Sequence, residues 1–195
     1  MNFDGEYRRI GQIDIAPLAN EVAAMSDAMW QEEVGRQQVY KAHTNTETIP
    51  LIFDPDMRHT SPTVRPVFSH FEPLLRPALV EIATYYRDRV TGAAPYFARI
   101  ILVRLKANAN IGSHHDNGYS LARAHRIHLP IVTTTGAIFG ITGVIKHLAA
   151  GELWEINNRK AHAVKNDSPQ ARIHAIFDYV IPGEIVTDPD GQLVA

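Results

Sequence analysis

The chain contains no cysteine. That absence excludes disulfide staples, thiolate zinc sites and cysteine nucleophiles, and it fits a reducing compartment. An excess of one charge is also lacking: Lys plus Arg number 19, Asp plus Glu 21, and the formal net charge is −2. A nucleic-acid-binding body usually carries a basic excess or stripe, so no nucleic-acid partner is expected and each arginine is judged as an individual ligand. Nowhere do about 18 apolar residues run together, so no membrane span is expected. The opening Met1-Asn2-Phe3-Asp4-Gly5-Glu6 lacks the basic stretch and apolar core of a signal peptide. A cytoplasmic protein without a membrane partner is the expectation. Internal repeats, low-complexity tracts and long linkers are missing too.

What is present suits one domain. A chain of 195 residues, 45% of them hydrophobic, can bury a core without staples. The expected division is a single domain over 1–195. Residues 1–95 would form a helical layer with edge strands, 96–182 a β-rich core, and 183–195 a C-terminal tail. From Pro17 to about Tyr40, Leu18, Val22, Met25, Met29 and Trp30 recur at helical spacing, with a break near Gly35. Leu74, Leu75, Leu79, Ile82 and Tyr86 predict a second helix over 71–90, kinked or started at Pro77. A short strand over 48–53 carries Pro50, which suits a sheet edge or a strand start. After Gly92 the texture becomes β: 97–105, 126–133, 137–142, 152–157 and 172–181 read as strands separated by turn signals. Helices first and strands second give an α+β chain, a helical layer covering one face of a β-sandwich.

Histidine stands out in this composition. There are 10, and six of them fall from His114 to His162. His114 and Asp116 are two positions apart, so on an extended segment they point the same way, while His115 points opposite. The plain alternative is a polar pair before the Asn117-Gly118 turn. His162 opens an extended segment after a polar turn, and alone it reads equally as a surface histidine. Arg172 follows ten residues later at the head of an apolar strand. Such an arginine is either at the sheet rim or paired with something anionic, and its planar fork matches a carboxylate. Two histidines and one carboxylate on one face of an octahedral metal, with open positions opposite, are the donor set of non-heme Fe(II) oxygenases. On 126–131, Arg126 and His128 share one face and Ile127 and Leu129 the other, which suits either an anion pocket wall or a one-sided solvated strand.

In order, these residues resemble a known family. Ile111-x-x-His114-x-Asp116, Arg126-Ile127-His128-Leu129-Pro130-Ile131, Gly151-Glu152-x-Trp154-Glu155-Ile156-Asn157-Asn158, His162-x-Val164 and Arg172-Ile173-His174-x-Ile176-x-Asp178 are similar to the aspartyl/asparaginyl β-hydroxylases. These are 2-oxoglutarate- and Fe(II)-dependent dioxygenases, and bacterial proline hydroxylases are among them. The resemblance spans roughly Phe97 to Pro182. It implies a double-stranded β-helix (jelly-roll) core. It implies His114, Asp116 and His162 as catalytic iron ligands, and Arg172 as the partner of the distal carboxylate of 2-oxoglutarate. His128 would lie near the C1 carboxylate, and Arg126 would face co-substrate or substrate. Animal aspartyl hydroxylases carry glycine in place of the ligand carboxylate. Asp116 therefore makes this chain look more like the bacterial small-molecule hydroxylases.

The implied reaction consumes O2 and 2-oxoglutarate, releases succinate and CO2, and hydroxylates an unactivated C–H bond of an amino acid or similar polar metabolite. Substrate contacts are expected from Arg123, Arg126, Asn117 and Tyr119, and from loops 43–47 and 58–63, with 117–124 acting as a lid. Two readings compete. One is a cupin-type metalloenzyme without 2-oxoglutarate. The other is a non-catalytic jelly roll that binds a small anion or a peptide.

Overall fold

Branched and aromatic residues alternate with polar ones through the second half of the chain, and those segments become strands. The computed structural model describes residues 3–31, 44–54, 61–116 and 118–187. Its strands are β1 (Tyr7–Gln12), β2 (Thr46–Phe53), β3 (Thr63–Val64), β4 (Tyr96–Leu105), β5 (Ala109–His114), β6 (His125–Val132), β7 (Ala137–Ile141), β8 (Val144–Lys146), β9 (Glu152–Ile156), β10 (His162–Asn166) and β11 (Arg172–Val180). They form two antiparallel sheets, ordered β1-β9-β6-β11-β4-β2-β3 and β5-β10-β7-β8. The architecture is the expected jelly roll.

Strand parity divides the large sheet into two unlike faces. Ile100 and Leu102 of β4, Ile127 and Leu129 of β6, and Ala175 and Phe177 of β11 all join one apolar cluster. Phe71, Leu75, Ala78 and Ile82 of a long helix complete it. Burying a side chain of this size contributes roughly 1.5–3 kcal/mol, so this layer is the main stabilising interface. The intervening Ile101, Val103 and Ile176 form a separate cluster on the other face. That inner face also carries Arg99, Arg126, His128, Arg172, His174 and Asp178, all buried.

The helices depart from the sequence reading. Two short ones, α1 (Ala16–Ala24) and α2 (Asp27–Gln31), replace the long one expected from Pro17. Met25 is already extended after α1, with ψ at 134°. Residues 32–40 of the expected helix lie outside the described part. The long helix α3 (Phe68–Tyr86) starts well before Pro77 and runs through both Pro73 and Pro77. Packing of its apolar face outweighs the loss of two backbone donors. Strand β1 was not foreseen, because only Ile10 in it is buried. Pro50 sits where β2 is paired on one side alone, since β3 reaches only Ile52 and Phe53. No described helix is long and apolar enough to cross a membrane.

A polar cluster ties the C-terminal segment to the sheet. His125 Nδ1 lies 2.5 Å from Glu155 Oε1, and its Nε2 lies 2.8 Å from Glu184 Oε2. Arg89 reaches Glu184 at 2.6 Å, and the Tyr86 ring packs on His125 at 4.3 Å. Burial raises the Glu155 carboxyl, but the hydrogen bond and charge of His125 outweigh it and hold the group below its usual range.

Gly151, just before β9, sits at a close backbone approach. Its φ is +80°, and a Cβ there would meet the Ile13 carbonyl oxygen at 2.7 Å. Gly151 also donates to Pro130 and accepts from Ile13. Gly151→Ala is therefore expected to cost at least about 1–2 kcal/mol for the left-handed backbone alone. A fall of several degrees in Tm checks it.

Candidate metal centre

Two neighbouring strands of the small sheet bring the histidines together. β10 pairs antiparallel with β5, and His162 stands opposite His114 in the register. Their rings lie 4.3 Å apart. Asp116 lies two residues beyond the end of β5, and its backbone N–H donates to the Asn158 carbonyl at 3.2 Å. Arg159 Nη1 donates to the Asp116 carbonyl at 3.1 Å. One ligand atom from each of His114, Asp116 and His162 falls within 4.8 Å of the others. His115 is exposed and lies outside the group, as parity required.

Both histidines present the same nitrogen. His114 Nδ1 donates to the Gly112 carbonyl at 2.8 Å, and His162 Nδ1 donates to the Lys160 carbonyl at 2.9 Å. A proton fixed on Nδ1 leaves the Nε2 lone pair for a metal, the usual outer-shell arrangement of a ligating histidine. Both Nε2 atoms lie 3.9 Å from a carboxylate oxygen of Asp116. Burial lowers the His162 pKa, only partly offset by Asp116, so the ring is neutral at pH 7. Nitrogen and oxygen donors without thiolate suit Fe(II), and three convergent donors leave positions open.

Arg126 sets the carboxylate in place. Its Nη1 lies 2.9 Å from Asp116 Oδ2, while Nε and Nη2 donate to Asp178 at 2.9 and 2.8 Å. Burial lowers its pKa, but the two carboxylates outweigh burial and hold it above the ordinary value. Arg126 was expected to face co-substrate or substrate; here its guanidinium faces two carboxylates. Across β4, Arg99 is paired with Asp54 and donates to Ser120 Oγ at 3.1 Å.

Arg172 is the opposite case. It is 4% exposed, yet no described carboxylate lies within salt-bridge distance of it. Burial pulls its pKa down to about 9, so it remains charged at neutral pH. Its Nη2 lies 2.8 Å from His174 Nδ1. His128 and His174 are also buried, and the Nε2 of each lacks a hydrogen-bond partner. All three metal-ligand candidates, with Arg126, His128 and Arg172, line one cavity between the sheets. Val103, Ile111, Phe139, Ile156, Val164 and Ile176 complete its wall, and it holds about 440 Å³ including its open mouth.

The expected substrate contacts fare differently. Tyr119 is 47% exposed, and the Arg123 guanidinium stacks on its ring at 3.5 Å. Neither residue lines the cavity. Asn117 and residues 43 and 58–60 lie outside the described part. Residues 117–124 were expected to form a polar lid. Instead a short helix, α4 (Tyr119–Ala122), buries Ser120, Leu121 and Ala122. Asn158 Nδ2 donates to the Leu121 carbonyl at 2.9 Å and anchors it. Asp178 and His174 belong to the family-like motif, but no role for either follows from the sequence alone. Their even-numbered spacing from Arg172 along an apolar strand was the available signal.

The neutral histidines predict a pH dependence. Burial pushes His128 and His174 well below 6.5, with the Arg172 charge adding to the effect. Below about pH 6.5 the unfolded chain takes up protons that the native chain refuses. Stability is therefore complete above that pH and falls as the pH drops toward the depressed native values, by about 1.4 kcal/mol per pH unit for each ring. The depressed carboxyls of Glu155 and Glu184 act only in more acidic solution, as the pH falls below their unfolded values. Urea melts at pH 7.5 and 5.5 separate the two windows, and equal stability at these values would contradict the histidine assignment.

Comparisons with known proteins agree with this geometry. A family model described as aspartyl/asparaginyl beta-hydroxylase matches residues 77–182, just over half of the chain. A search of curated proteins found no match. Among solved structures, a viral collagen prolyl hydroxylase from Paramecium bursaria Chlorella virus-1 superposes with a TM-score of 0.57 at 11% identity, covering 90% of this chain and 96% of its own. A 2OG-Fe(II) oxygenase family oxidoreductase from Burkholderia pseudomallei gives 0.55 at 14% identity, covering 92% of each chain. A Pseudomonas putida prolyl-4-hydroxylase gives 0.51 at 13% identity, covering 92% of this chain and 95% of its own. Identities this low speak for a shared fold.

Proposed function

We infer the activity from one premise: the chain belongs to the aspartyl/asparaginyl beta-hydroxylase family. It is a 2-oxoglutarate- and Fe(II)-dependent dioxygenase that hydroxylates an unactivated C–H bond of an amino acid or similar polar metabolite. The observation that carries this reading is a pairing. Three metal-competent side chains converge in a cavity that also holds a buried arginine with no described acid partner.

His114, Asp116 and His162 hold the iron in this proposal. Arg172 takes the distal carboxylate of 2-oxoglutarate, supplying the charge that a buried dianion needs. His128 lines the same cavity and faces the other end of the same anion. Arg126, itself gripped by Asp178, holds the Asp116 carboxylate in place beside the histidines. The apolar wall keeps water from the reacting centre. When bound, Fe(II) with 2-oxoglutarate and O2 supplies the oxidising power, leaving succinate, CO2 and a hydroxylated product. The substrate carbon must then sit beside the metal. A metalloenzyme without 2-oxoglutarate would leave Arg172 a buried charge without a purpose.

The test is a screen of Fe(II)-loaded protein against amino acids and their derivatives, scored by succinate release and by the mass of one added oxygen. Succinate formation coupled to that added mass is the expected result. Protein that binds iron yet turns over no 2-oxoglutarate, with or without candidate substrates, would defeat the proposal.

A further inference from the structure

Two of the buried arginines on the inner face of the large sheet, Arg126 and Arg172, are held in opposite ways. Arg126 is held by acids: Asp178 takes it in a two-point grip, and Asp116 takes the third nitrogen. Arg172 is held by an imidazole, with His174 Nδ1 at 2.8 Å from its Nη2. Asp178 and His174 both come from β11. A guanidinium has no acceptor, so Nδ1 of His174 must be the accepting atom and the ring proton sits on Nε2. Residues 172 and 174 lie on the same face of one strand, so the imidazole meets the guanidinium without any other element moving.

The difference has a chemical consequence. A carboxylate at position 174 would orient Arg172 equally well, but it would also neutralise it. A neutral acceptor orients the fork and leaves its charge available. An arriving dianion therefore meets a preset cation whose charge is not already spent.

We propose that His174 is a positioning residue for the co-substrate: it aims the Arg172 guanidinium while leaving its positive charge uncompensated. The inference rests on the reading of Arg172 as the 2-oxoglutarate anchor. It adds that the neutrality of the residue at 174 sets the affinity for the diacid.

An isosteric pair separates orientation from charge. Asparagine and aspartate both place an oxygen near the position of Nδ1, one neutral and one negative. The probe is 2-oxoglutarate, titrated by calorimetry into protein carrying Zn(II) in place of iron, so that no turnover occurs. His174→Asn should keep Kd within about threefold of the wild type, and His174→Asp should weaken binding by about 10–100-fold, the range for outer-shell changes. In steady-state assays with iron, the loss in His174→Asp should appear in KM for 2-oxoglutarate with kcat largely kept. His174→Asp should also melt above His174→Asn, because the buried guanidinium gains a counter-charge. Equal Kd values for the two variants would overturn the inference and leave the proposed function standing. Wild-type protein that binds no 2-oxoglutarate would remove both. Should the aspartate variant not fold, His174→Leu carries the test: without an acceptor the fork swings free and affinity should fall, and unchanged affinity would overturn the inference.

Discussion

Asp116→Ala should abolish succinate production and iron binding together while the protein stays folded. Outer-shell partners of a metal site typically cost about 10–100-fold in affinity or activity when removed, and a direct ligand must cost more. A loss beyond roughly 100-fold in both quantities is therefore expected. Folding should survive, because Arg126 keeps its two-point contact with Asp178 after Asp116 is gone. Asp116→Asn preserves the volume yet turns an amide toward Arg126 or toward the metal, and neither neighbour accepts that donor well. It should be almost as damaging as alanine. Iron content after desalting, compared with the melting temperature, checks the pair of claims. A variant that retains stoichiometric iron would show that Asp116 is not a ligand.

Arg172→Met should move activity and stability in opposite directions. Removing one partner of a buried charge pair costs about 2–5 kcal/mol of binding, or roughly 30- to several-thousandfold. The loss should appear as a raised KM for 2-oxoglutarate. The empty protein, in contrast, gains. Arg172 is buried without a described acid, and burial alone pulls its pKa down to about 9. Hydrophobic replacement of a buried charge is often stabilising by about 1–4 kcal/mol, and leaving His174 Nδ1 without its donor takes back about 1 kcal/mol. The net effect should be a rise of a few degrees in Tm for a chain of this size. A methionine variant that melts lower would mean that the arginine has an internal role. Stability sacrificed at a binding site is the general cost of a pre-formed cavity.

These two predictions draw on residues that the sequence made visible for different reasons. His114 and Asp116 were legible through their spacing, because alternation along extended backbone is local physics. His162 was legible only as a histidine opening a strand. Its place opposite His114 depends on the pairing of β10 with β5, which no local pattern specifies. Arg172 was legible as an oddity at the head of an apolar strand. Its lack of an acid could not be read, because that requires knowing every neighbour. The strands over 97–105, 126–133 and 172–181 were found nearly to the residue, since their buried faces force the pattern. β1 was missed because it buries only Ile10. The helix from Pro17 was overextended because helical spacing continues past Met25 although the backbone there turns extended.

By itself, the sequence determined the composition limits, the period of each strand, the donor types and the family likeness, all of which are properties of neighbours along the chain. Only the tertiary structure decided which buried charges meet. It matched Arg126 with Asp116 and Asp178, left Arg172 to a neutral imidazole, and turned a supposed lid into a buried anchor. The physical reason is that electrostatic and packing energies depend on distance through space, and the antiparallel register of two facing sheets sets those distances between residues far apart in the chain.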